Sequence, residues 1–145
     1  MAKVSTCLVF LHQTEVAFQF YKSVFKTEFA GPITRVRDIP GFGEDPAMAD
    51  ADKDLVMHLA LPILGGHLLI GNDCPGFMSS KFTVGTNVDI CLEPDTRAEA
   101  GRLFGALSEN GTVDVPLQEM FWGAYFGSVT DQFGVAWRIN CVCKD

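Results

Sequence analysis

Basic residues are scarce in this chain: 11 Lys and Arg stand against 18 Asp and Glu, for a formal net charge of −7. No basic stripe is left to neutralise phosphates, which sets nucleic acid aside as a partner. Long apolar runs are missing too, none reaching the ~18 residues that suggest a membrane span, so no membrane association is expected. The opening Met1-Ala2-Lys3-Val4-Ser5-Thr6 lacks the apolar stretch and small-residue cleavage site of a secretory signal, and the expected location is the cytoplasm. Five cysteines are an odd number for a disulfide framework, so reduced thiols are expected, with Cys141 and Cys143 packing on one face of a terminal strand. A complete glycine-rich dinucleotide turn is also missing. Gly41-Phe42-Gly43 is half of one, without a strand before it or a helix after it.

What is present is a globular composition. Hydrophobic residues make up 48% and charged residues 20% of the 145, enough for one core but not for several domains. Residues 4–11 predict a buried strand with Thr6, Leu8 and Phe10 on one face. Thr14 reads as the N-cap of a helix running to about Lys26, with Val16, Ala17, Phe20, Tyr21 and Val24 as its apolar stripe. A second strand is expected within 27–37, then an acidic loop over 38–54. The runs 55–62 and 67–72 form a hairpin through Gly65-Gly66. A connecting segment follows at 73–81.

The order then repeats. Residues 84–93 predict a strand, and Thr96-Arg97-Ala98-Glu99 a capping box. Ala100, Leu103, Phe104 and Leu107 form the stripe of a second helix, which stops at Asn110-Gly111. Three strands fit into 112–143, the last two joined at Thr130-Asp131-Gln132-Phe133-Gly134. An offset of 83 superposes the two helical stripes, and an offset of 68 superposes the two final hairpins. Two βαβββ modules, about 1–75 and 82–145 within one domain, follow from this order, since neither module closes a core alone.

Four segments carry a family resemblance: Phe18-Gln19-Phe20-Tyr21-Lys22-Ser23-Val24-Phe25, Met57-His58-Leu59-Ala60-Leu61-Pro62, Gln118-Glu119-Met120-Phe121-Trp122-Gly123 and Asp131-Gln132-Phe133-Gly134-Val135-Ala136-Trp137-Arg138-Ile139-Asn140. With them the chain resembles the PhnB-like branch of the vicinal-oxygen-chelate superfamily, which includes glyoxalase I, extradiol dioxygenases and bleomycin-resistance proteins. The resemblance implies an α+β fold, with paired βαβββ modules forming a cupped mixed sheet (the glyoxalase/bleomycin-resistance/dioxygenase fold), commonly as a homodimer. The branch also bears the label 3-demethylubiquinone methyltransferase. That activity is not expected here, because no glycine-rich strand-to-helix turn for a methyl-donor nucleotide occurs.

Metal-dependent members of the superfamily carry ligands on the first and last strands of each module. Carrying that pattern over without gaps lands on Thr6, Ile70, Asp89 and Arg138. Only Asp89 is an ordinary ligand, and a permanently cationic Arg138 repels a divalent ion. The expectation is therefore no metal cofactor, with a divalent metal such as zinc as the alternative. His58 and His67 lie on adjacent strands of one hairpin, as a facing pair or as a hydrogen-bonded residue and a turn residue. Asp89 and Arg138 form either an ion pair or, through Arg138, a bidentate anion site. Trp122 and Tyr125 are candidates for an aromatic pocket beside Gln118. The candidate ligand-binding set is Thr6, His58, Asp89, Gln118, Trp122, Tyr125 and Arg138, and no catalytic residue is assigned. The expected function is binding of a small anionic or aromatic molecule in the cup; the alternative is a metal-dependent lyase, isomerase or dioxygenase of glyoxalase type.

Overall fold

The computed structural model describes residues 1–142, and the chain divides into two units, Met1–Phe82 and Thr83–Asp145. In the first unit β1 (Thr6–Phe10), α1 (Thr14–Phe25), β2 (Thr34–Arg35), a helical turn α2 (Asp50–Lys53), β3 (Val56–Pro62) and β4 (Leu68–Asp73) follow one another. The sheet order is β1-β4-β3-β2, with β1 parallel to β4 and the other pairs antiparallel. In the second unit the order is β5 (Ile90–Leu92), α3 (Arg97–Ser108), β6 (Thr112–Glu119), β7 (Tyr125–Thr130) and β8 (Ala136–Cys141). Its sheet order is β5-β8-β7-β6, again with only the first pair parallel. Both sheets are mixed, and the fold is α+β with the same strand order twice. No helix among the described residues is long and apolar enough to cross a membrane.

Helices α1 and α3 each cover one face of their own sheet. On α1 the buried residues are Thr14, Ala17, Phe18, Tyr21, Val24 and Phe25, a three-and-four spacing that makes one stripe. It is rotated from the expected stripe: Val16 is 62% exposed, and Phe18 takes the core position instead. A Cβ on Gly71 of β4 would stand 2.5 Å from the Phe18 ring and 2.8 Å from the Thr14 methyl, so β4 passes beneath the start of α1 in direct contact. Leu59, Leu61 and Leu69 are fully buried and lie with Gly71 on this helix-covered face. Gly127 of β7 plays the same part under Phe104 of α3, with Trp137, Ile139 and Val129 around it.

Thr14 is not an N-cap. It is the first helical residue, and the capping group is Asp73 at the end of β4, whose Oδ1 accepts from Thr14 N (3.2 Å) and Thr14 Oγ1 (2.7 Å) while Oδ2 accepts from Val56 N (2.8 Å). Parallel pairing of Phe10 with Asp73 brings that carboxylate to the helix start. Asp73 is 4% exposed, which makes it part of the first core and not of a connecting segment. Residues Gly76–Lys81 form a 3₁₀ helix. Thr96 does cap α3, its Oγ1 accepting from Glu99 N at 3.1 Å, and the Glu99 carboxylate accepts from Arg102. The Gly65-Gly66 turn joins β3 to β4 with φ of 69° and 80°, values that favour glycine.

The strands expected over 27–37 and 84–93 shorten to Thr34–Arg35 and Ile90–Leu92. Cys7, Cys74 and Cys91 are free thiols, as expected. Cys141 is disulfide-bonded and departs from the expectation of a reduced cysteine; Cys143 lies outside the described residues.

Candidate functional site

Alternation along a strand sends successive side chains to opposite faces, so the face away from α3 is defined by register. Cys91 of β5 pairs with Arg138 of β8, and Arg138 with Ser128 of β7. Trp137 and Ile139, on either side of Arg138, are buried beneath α3, which leaves Arg138 on the open face. One row further along, Asn140 pairs with Phe126 and Phe126 with Gln118. Asp89, two residues before Cys91, returns to the same face and accepts a hydrogen bond through Oδ2 from Arg138 Nε.

Around this ion pair lies a pocket of about 370 Å³ lined by Thr86, Asn87, Asp89, Cys91 and Arg138. The Arg138 side chain is 55% exposed and that of Asp89 22%. Burial pushes the Cys91 thiol up; Glu93 and Asp89 push it further the same way, and Arg138 opposes them. A raised thiol stays protonated at neutral pH, so Cys91 contributes a polar wall and not a nucleophile. The pocket offers one cation, one paired carboxylate, an amide and a hydroxyl. Chemically it suits hydrogen bonding to a small polar molecule.

The expected residues divide by face. Asp89 and Arg138 come together. Gln118 is exposed on the open face of β6, and Trp122 stands in the β6–β7 turn with its ring 5.8 Å from Phe126. Tyr125 points the other way: it pairs with Cys141 on the helix-covered face, where the Arg97 guanidinium lies 4.9 Å from its ring. Thr6 pairs with buried Leu69, on the face that α1 covers, and its Oγ1 lies 2.8 Å from His67 Nε2. His58 is exposed on the opposite face of the first sheet from Leu59. His67 thus partners Thr6, and neither histidine forms a pair with the other. Thr86, Asn87 and Cys91 line the pocket without having been anticipated. For Cys91 the signal was available, since alternation from Asp89 places it on the same face.

The donor set does not fit a divalent ion. Among the described residues no group of three or more His, Cys, Asp or Glu converges, and the one carboxylate in the pocket already holds a guanidinium whose fixed charge repels a metal.

Comparison with known proteins agrees with this architecture. The fold is that of the glyoxalase/bleomycin-resistance/dioxygenase proteins: a domain of that class from Frankia sp. EAN1pec superposes with a TM-score of 0.63 at 11% identity, over 97% of this chain and 92% of that one. Within that class the chain belongs to the family described as 3-demethylubiquinone-9 3-methyltransferase, whose profile matches residues 2–140. Protein PA1353 from Pseudomonas aeruginosa is 33% identical with a TM-score of 0.78, over 99% of this chain and 100% of that one. The PhnB protein from Bacillus cereus superposes at 0.75 with 23% identity, over 97% and 99%. Protein YjdN of Escherichia coli K12 is 32% identical over 87 residues, 60% of this chain and 56% of that protein's length.

Proposed function

We propose that the protein binds a small anionic molecule on the open face of the second unit, without a metal ion, and that it does so as a homodimer. The observation that carries this reading is Arg138, a half-exposed guanidinium held by Asp89 at the wall of a polar pocket. A guanidinium offers a rigid fork of donors matched to carboxylate and phosphate oxygens. Methyl transfer, the activity in the family's description, is not part of the proposal. The chain enters α1 through His12-Gln13 and α3 through Asp95-Thr96, and neither turn has the glycines that let a backbone approach a nucleotide phosphate.

The test is a thermal-shift screen of anionic and aromatic small molecules against the wild type and Arg138→Gln. Anions are expected to raise the melting temperature of the wild type and to lose that effect in the variant. A panel that shifts neither protein overturns the reading. Metal analysis after gentle purification tests the other half: stoichiometric zinc, with stability lost in chelator, would replace it by metal-dependent lyase, isomerase or dioxygenase chemistry.

A further inference from the structure

Resting on the anion-binding reading, we infer that the pocket selects singly charged carboxylates over doubly charged phosphates, and that Asp89 sets this preference. Three observations lead there. Among the described residues lining the pocket only Arg138 is cationic, and Asp89 already neutralises it. Glu93 lies two residues beyond Cys91 and adds negative potential at the thiol, as Asp89 does. Among the described residues no second guanidinium, ammonium or histidine lines the pocket to balance a second negative charge.

The geometry of the pair supplies the positive half of the argument. Asp89 takes the Nε donor of Arg138, and among the described residues the two terminal nitrogens make no other hydrogen bond. These nitrogens form the end-on edge of the fork, which accommodates two carboxylate oxygens side by side. Asn87 and Thr86 add neutral donors on the same wall. A monoanion therefore meets directional donors and adds a single uncompensated charge to the neutral Arg138–Asp89 pair, whereas a dianion meets the same donors and adds two. Coulomb energy separates the two ligands even though their hydrogen bonds are alike. Phe126 lies one row along the open face from Arg138, with the Trp122 ring edge-on to it. A two-residue step is about 6.6 Å, so a benzene ring attached to the carboxylate would extend toward these aromatics.

The experiment compares benzoate with phenyl phosphate by titration calorimetry at pH 7.5, where the phosphate is mostly dianionic. Wild type, Asp89→Asn and Arg138→Gln are used, each checked by circular dichroism; both changed side chains lie outside the core. Benzoate is expected to bind the wild type about tenfold more tightly than phenyl phosphate, a gap of about 1.4 kcal/mol. In Asp89→Asn the gap should close or invert, because the neutral amide frees the Arg138 charge. Phenyl phosphate binding the wild type as tightly as benzoate overturns the inference and leaves the anion reading standing. So does a preference that Asp89→Asn leaves unchanged. Neither probe binding the wild type, or both binding Arg138→Gln undiminished, removes the anion reading itself and the inference with it.

Discussion

Asp73 caps a helix from 59 residues away, and three donors depend on it: Thr14 N, Thr14 Oγ1 and Val56 N. The first is one of the N–H groups that a helix start cannot satisfy internally, and a carboxylate there is also favoured by the helix dipole. Asp73→Ala leaves buried donors without acceptors and should cost about 3 kcal/mol in urea denaturation; Thr14→Ala, which keeps the backbone bond, should cost about 1 kcal/mol. An unchanged unfolding midpoint in Asp73→Ala would show that the cap is dispensable. Glu119 illustrates the surface counterpart. Arg97 holds its carboxyl below the usual range, first through a direct hydrogen bond and then through charge. A depressed folded value means that the pair's contribution is present above the unfolded value and is lost as pH falls through the folded one. Carbon-13 titration should place the Glu119 midpoint below that of a free glutamate, returning to it in Arg97→Gln. A normal midpoint in the wild type would show that the pair does not persist in solution. Neither Asp73 nor the orientation of Tyr125 was legible residue by residue, because each depends on strand register. A shift of one residue exchanges the two faces of a strand.

At the scale of elements, both helices were legible in place and order, though the first begins one residue earlier than its expected cap allowed and its buried stripe is rotated onto Phe18. Thr14–Phe25 and Arg97–Ser108 have equal length at an offset of 97 − 14 = 83, and Leu68–Asp73 and Ala136–Cys141 at 136 − 68 = 68. The first strands differ. Cys7 pairs with Ile70 and Cys91 with Arg138, an offset of 91 − 7 = 84, so a gap-free transfer sets Asp89 over Thr6 and misplaces Thr6 by one residue. That single step moved Thr6 from the helix-covered face into the expected ligand set. Strands β2 and β5 were overread because Gly31-Pro32 interrupts the run ahead of Thr34, and Gly85 and Asn87 interrupt the run ahead of Ile90. Close packing between helix and strand gives a sharper prediction. Gly71→Ala drives a methyl against Phe18 and Thr14 and should cost about 1–3 kcal/mol. Gly105→Ala, in α3 with open space around its added Cβ, should instead gain about 0.5–1 kcal/mol from helix propensity. Equal denaturation midpoints for the two variants would contradict the crossing of α1 over β4.

At the scale of the whole chain, composition and the repeated order carried the fold, whereas the pocket was legible only through Asp89 and Arg138. Its remaining walls come from Cys91, which alternation from Asp89 places on the same face, and from Thr86 and Asn87, in a segment read as strand. The aromatic residues that dominate the closing half of the sequence lie mostly outside that pocket. Phe121 is 96% exposed, and its ring lies 4.9 Å from that of Trp122, itself 52% exposed. Water in contact with two adjacent rings is unfavourable, and fully burying a Phe contributes about 1.5–3 kcal/mol. Aromatic residues of this kind are enriched at the energetic centres of interfaces. We propose a second copy of the chain as what covers them, the homodimer that the family resemblance implies. With a net charge of −7 on each copy, like charges oppose association, so an apolar contact has to supply the attraction and added salt should strengthen it. Sedimentation velocity at micromolar concentrations should return twice the 15.8 kDa chain mass. Replacing both Phe121 and Trp122 by Ala should shift the population toward the single chain without changing the circular dichroism spectrum. A wild type that sediments as one chain at every concentration and salt overturns the dimer, and a dimer untouched by the double replacement places its interface elsewhere on the surface.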